Sequence, residues 1–125
     1  MVGIKKTIRG PAPRIPFERI AQKIFGERYE LSLVICGDRL AQRMNKAYRK
    51  KNYSPNVLSF PLSAREGEIF LNIPAVKRES KRYGNPLRER TALLFVHGCL
   101  HLKGLRHGRT METTEKRVLR EFGIT

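Results

Sequence analysis

Apolar positions along the chain follow two periods. Phe17, Ile20, Ala21, Ile24 and Phe25 recur at i, i+3, i+4, i+7 and i+8 between Pro16 and Gly26, which predicts an amphipathic helix with proline in its first turn. Leu31, Leu33 and Ile35 then alternate with Ser32, Val34 and Cys36, a largely apolar run that predicts a buried strand ending at Gly37. Asp38 is placed to cap a second helix with Leu40, Met44, Ala47 and Tyr48 as its apolar stripe. Arg39, Arg43, Lys46 and Lys50 trace a basic stripe beside it, either a solvated face or a contact for phosphates.

Asn56 to Pro61 is a short β-prone run closed by proline, and Glu68 to Ile73 is a further strand reached through a polar turn. So short a link makes the two antiparallel if they pair directly. Ala75 to Tyr83 reads as a helix of one or two turns. Asn85 and Pro86 then look like a cap and first position opening a long helix from Leu87 to Leu102. Leu93, Leu94, Phe95, Val96, Leu100 and Leu102 cover most of its circumference, so it belongs at the centre of the fold. Thr110 is placed to cap a last helix carrying Met111, Val118, Leu119 and Phe122, stopped by Gly123, while Val2 to Arg9 offers a short edge strand before a proline-rich link. The pattern predicts a single domain over residues 1–125 of mixed α/β (α+β) class, a sheet of about four strands packed on helices.

Charge adds a partner to this picture. Twenty-six Lys and Arg residues against 11 Asp and Glu give a net charge of +15 in 125 residues, an excess that favours a polyanion, most often nucleic acid. No apolar run is long enough to cross a membrane and the N-terminus lacks a signal-type apolar core, so a cytosolic (cytoplasmic) location is expected. The two cysteines, Cys36 and Cys99, lie in a predicted strand and a predicted helix and read as buried thiols, not a disulfide framework.

The chemistry concentrates in one stretch. The chain has three histidines, His97, His101 and His107, at the spacing H-x-x-x-H-x-x-G-x-x-H. Residues i and i+4 share a helical face, so His97 and His101 aim at one point, and a left-handed Gly104 turns the chain to bring His107 to it. Three neutral imidazoles form a tripod for zinc or a similar divalent ion, with a fourth position open for water. A peptidase of the H-E-x-x-H type has its general-base glutamate directly after the first histidine; here that residue is Gly98, which disfavours a protease. Gly98 serves either to leave room near the ion or to let helices pack closely. The general base is left open between solvent on the ion and Glu112 reaching back from the last helix. Cys99 lies on a different helical face from the histidines and is expected in the core.

The run His97-Gly-Cys-Leu-His101-Leu-Lys-Gly104-Leu-Arg-His107 resembles the H-G-x-L-H-L-x-G-Y-D-H signature of the YbeY family of bacterial endoribonucleases. Leu40 to Pro61, with Asn45, Tyr48-Arg49-Lys50 and Asn56-Val57-Leu58-Ser59-Phe60-Pro61, is similar to a second family stretch, and Gly67-Glu68-Ile69 to a third. The resemblance implies a zinc-dependent hydrolase of single-stranded RNA, acting in maturation of the 3′ end of the small-subunit ribosomal RNA and in ribosome quality control. It implies a metal-bearing central helix beside a four-stranded mixed sheet, metzincin-like in outline. By position it makes His97, His101 and His107 the metal ligands and Arg49 the functional arginine, suited to stabilising charge on a phosphoryl group.

Two positions depart from the family pattern. Arg106 stands where the family has aspartate and Leu105 where it has an aromatic residue, which removes a carboxylate able to orient a ligand. Lys103 and Arg106 flank the histidines and are expected to contact backbone phosphates. A non-catalytic RNA- or ribosome-binding factor with a structural metal, and a metallohydrolase of another substrate such as peptides, are the competing readings. Metal content and RNA cleavage of His97→Ala and Arg49→Ala separate them.

Overall fold

A computed structural model describes residues 1–124. Its elements are β1 (Val2–Lys6), α1 (Phe17–Phe25), β2 (Glu30–Cys36), α2 (Asp38–Arg49), β3 (Val57–Ser63), β4 (Glu66–Asn72), α3 (Ile73–Tyr83), α4 (Leu87–Leu102) and α5 (Arg109–Glu121). The strands form one mixed sheet in the order β1-β2-β4-β3. β1, β2 and β4 are parallel, with Leu33 opposite Ile69 and Ile35 opposite Leu71, and β3 runs antiparallel along the edge of β4.

Alternation within the central strands sorts their side chains onto two unequal faces. Leu31, Leu33, Ile35, Ile69 and Leu71 meet α1, α4 and α5 in the main core, where Phe95 of α4 is fully buried edge-on to Phe17 at a centroid distance of 4.8 Å. Val34, Cys36, Leu58 and Phe70 meet α2 alone, through Ala41 and the half-buried Leu40 and Met44. α2 is thus an outer layer by itself. Its inward face is Ala41 and Asn45, and Ala47 and Tyr48, expected in the apolar stripe, are exposed.

The remaining differences from the sequence expectations have local causes. Asp38 does not cap α2: Gly37 is the cap residue, and the Asp38 carboxylate instead takes a bidentate pair from Arg78 (2.7 and 2.9 Å) and a bond from Asn72 Nδ2 at 2.9 Å. β4 ends at Asn72, not Ile73, because the buried Asn72 side chain accepts from Ala75 N–H and so starts α3, with Pro74 in its first turn. This cap gives α3 eleven residues, longer than expected. β3 passes through Pro61 to Ser63, since an edge strand tolerates a residue without an N–H and the register shifts there. α4 begins at Leu87 with Pro86 as its cap residue, one residue after the expected Asn85, and α5 begins at Arg109 with Gly108 as its cap, two residues before the expected Thr110.

Candidate metal centre

α4 carries the first two histidines on its last turns. Gly98 lets the helix lie close on the sheet: a Cβ there would meet Ser59 Oγ at 2.9 Å and Ile69 Cδ1 at 3.2 Å, and Ser59 Oγ donates to Gly98 O at 3.2 Å. Its role is therefore close packing, and no side chain at this position has room to act as a base. Gly104, at φ +103°, ends the helix, and its N–H donates to His101 O while Leu105 N–H donates to Leu100 O. The chain then doubles back and delivers His107.

The three imidazoles converge. Their ring centroids are 4.6 to 5.0 Å apart, and one ligating atom from each falls within 4.8 Å of the others. His97 Nε2 and His101 Nε2 are 3.1 Å apart, close to the ~3.3 Å edge of a tetrahedron with metal–nitrogen bonds of ~2.0–2.1 Å. Burial first, then the charge of His107, lowers the pKa of His97; burial first, then His97 and His107, lowers that of His101. Both shifts favour the neutral imidazole, the form that offers a lone pair to a metal. The donor set fits a single divalent ion.

A carboxylate stands behind the tripod. Glu115 of α5 is buried at 7% exposure, and its Oε2 lies 3.4 Å from His97 Nδ1, on the side of the ring away from Nε2. Burial raises its pKa, followed by repulsion from Glu112, with His107 and His101 acting in the opposite sense. Glu112, the expected candidate base, is exposed. The signal for Glu115 was present in the helical spacing: Met111, Glu115, Val118 and Leu119 share the stripe that α5 turns inward.

The histidines line one end of a cleft of about 890 Å³ shared with Arg49, Tyr53, Asn56, Arg78, Glu79 and Arg82. Arg49 reaches it because α2 ends in a left-handed residue, Lys50 (φ 56°), and the buried Asn45 donates to Tyr53 O at 3.1 Å, folding the following loop against the helix. Its positive charge adds, after burial, His97 and His107, to the causes that lower the pKa of His101. The two acids around the cleft are neutralised: Asp38 by Arg78, and Glu79 by Arg90 Nη2 at 3.0 Å and Asn56 Nδ2 at 2.9 Å. Arg49 and Arg82 carry no ion pair among the described residues, so the cleft is cationic on balance.

Other expected residues lie elsewhere. Lys103 Nζ donates to Ile24 O at 2.8 Å, capping the end of α1 and leaving phosphate contact to others. Arg106 is exposed beside the histidines. Cys36 and Cys99 are fully buried free thiols; burial pushes Cys36 up to about 11 and Cys99 upward too, so Cys99 stays a protonated core residue and no ligand. No helix among the described residues is long and apolar enough to cross a membrane.

Comparison with known proteins accords with this arrangement. The family profile described as Endoribonuclease YbeY matches residues 14–123. An Endoribonuclease YbeY from Aromatoleum aromaticum is 35% identical over 130 residues, spanning 98% of this chain and 84% of that protein. Another from Bordetella petrii is 38% identical over 102 residues, spanning 74% of this chain and 66% of that protein. The solution structure of a Thermotoga maritima protein is similar in fold, with a TM-score of 0.70 at 21% identity over 98% of this chain and 91% of that one. A profile match over most of the chain, joined by a relative 35% identical across 98% of it, means that the chain belongs to the YbeY endoribonuclease family.

Proposed function

We propose that the protein is a zinc-dependent endoribonuclease that cuts single-stranded RNA in ribosomal RNA maturation, at the 3′ end of the small-subunit RNA, with a further part in ribosome quality control. The observation that carries this reading is the convergence of His97, His101 and His107 at one end of a cationic cleft that also holds Arg49. Family membership supplies the reaction class.

His97, His101 and His107 would hold the zinc, which when bound supplies Lewis acidity toward a phosphoryl oxygen and an activated water. Glu115 orients His97 from behind and keeps its Nε2 facing the cleft. Arg49 grips the scissile phosphate through paired N–H donors and stabilises the charge that builds on it as water adds to phosphorus and the ester bond breaks. The cationic cleft admits a flexible strand and holds its backbone. Glu115, buried and turned to His97, is an orienting group and not the base.

Zinc content and cleavage of a single-stranded RNA by wild type, His97→Ala and Arg49→Ala test this reading. Expected are loss of both zinc and cleavage in His97→Ala, and retained zinc with cleavage reduced by about 10²–10³ in Arg49→Ala. Cleavage that persists unchanged in His97→Ala would overturn it, and zinc loss in Arg49→Ala would move that residue to a structural role.

A further inference from the structure

Two helices, α2 and α3, present exposed faces without a free acid. α1 interleaves Glu18 with Arg19 and Lys23, α4 carries Glu89, and α5 carries Glu112 and Glu121 among its cations, whereas the one acid of α3, Glu79, is half-buried and held by Arg90 and Asn56. α2 has a single acid, Asp38, and that carboxylate is taken by Arg78. At about 100° per residue, with the buried Ala41 at the origin, Asn45 lies near 40°. Arg39, Arg43 and Lys46 fall between about 140° and 200°, the outermost arc, and Lys50 continues the line where the helix ends. All four are exposed, and none of their side chains has an ion-pair or hydrogen-bond partner among the described residues. Arg49, near 80°, points to the flank where the cleft lies. One helix therefore presents two separate cationic edges, one to the cleft and one to solvent.

We infer that the outer ridge Arg39, Arg43, Lys46 and Lys50 is a second RNA-binding surface. It engages the phosphate backbone of a segment flanking the strand held in the cleft. The ridge extends about 16 Å at 1.5 Å per residue, room for several consecutive phosphates, and a surface of one sign with no internal acid pays no repulsion toward a polyanion. Contacts of this kind, made to phosphates, contribute affinity and placement and not sequence choice. This inference rests on the proposed RNA substrate.

The test compares wild type, the ridge variant Arg39→Gln/Arg43→Gln/Lys46→Gln/Lys50→Gln, and a charge-matched control, Lys5→Gln/Arg28→Gln/Lys116→Gln/Arg117→Gln, whose residues are exposed elsewhere. Two probes are used: a short single strand, and the same strand joined to a hairpin. Binding is read by fluorescence anisotropy across a salt series with the metal chelated, so that the RNA stays intact; cleavage of the short strand is read with zinc. The ridge variant is expected to lose affinity for the hairpin probe, with the slope of log affinity against log salt flattened by about 3, four contacts at roughly 0.7–0.9 each. Binding and cleavage of the short strand stay at wild-type level. Equal hairpin affinity in wild type and ridge variant overturns the inference alone, as does an equal loss in the control, which would reduce the effect to net charge. Wild type that binds neither probe overturns the RNA reading itself.

Discussion

Replacing Glu115 separates the support of the metal centre from the stability of the fold. The carboxylate is buried, turned to His97 Nδ1 at 3.4 Å, and raised in pKa by that burial. Carboxylates behind a ligating histidine fix its tautomer and increase its basicity, and their loss typically lowers metal affinity 10- to 100-fold, or about 1.4–2.8 kcal/mol. Glu115→Gln keeps the shape and a neutral acceptor and is expected near the lower figure; Glu115→Ala removes the acceptor and is expected near the upper one. The sign for the metal-free protein is opposite. A folded pKa raised above the unfolded one means that the folded state binds more protons between the two values, so stability falls as pH rises through that window. At neutral pH the charged carboxylate therefore costs metal-free stability, and Glu115→Gln should melt no lower than wild type in chelator. Zinc affinity by competition with a chromophoric chelator, and thermal melting without metal, read the two effects apart. Wild-type zinc affinity in both variants would refute the positioning role; a loss that appears only together with lowered metal-free melting would assign Glu115 to the fold.

Protons and charges elsewhere give further expectations. Because burial lowers the pKa of His97 and His101, both are neutral at pH 7, and zinc affinity by the same competition should hold there and weaken as the pH falls below about 6.5 toward their depressed values; affinity unchanged down to pH 5 would contradict imidazole ligation. Hydrogen bonds from Arg78 and Asn72 hold the Asp38 carboxyl below its usual range, so its stabilisation is complete above the unfolded value of about 3.9 and disappears as pH falls through the lower folded value. Asp38→Asn should accordingly melt below wild type at pH 7, with the gap narrowing as the pH falls below about 3.9; a gap that does not narrow on acidification would point to lost packing. Arg49→Lys should recover little of the activity missing in Arg49→Ala, since an ammonium cannot supply paired planar donors, and full recovery in a cleavage assay would reduce Arg49 to a point charge.

Local patterns carried much of this architecture. The all-round apolar run of Leu87 to Leu102 gave α4 its full span, and the histidine spacing with Gly104 placed all three imidazoles together, because both signals arise within one helix and its exit. Strand order was not legible, since β2 pairs with β4 across an intervening helix and strand and no local period records that partnership. Tyr48 and Ala47 fit the apolar stripe of α2 yet are exposed, because one narrow helix on this sheet face buries only its Ala41 and Asn45 edge. Lys103 and Asp38 suit phosphate contact and capping by position alone, but tertiary partners, the end of α1 and Arg78, claim them instead. Glu115 was readable as a carboxylate within an apolar stripe, but only the structure says which histidine stands opposite.

The proposed function makes RNA cleavage depend on a metal held by His97, His101 and His107. Titrating metal-free protein with zinc while following cleavage of a single-stranded RNA tests it most directly. Activity should be absent at the start, rise with added zinc and level off at one equivalent per chain, with His101→Ala inactive throughout. Cleavage that is full without zinc, or equal in His101→Ala, would contradict the claim.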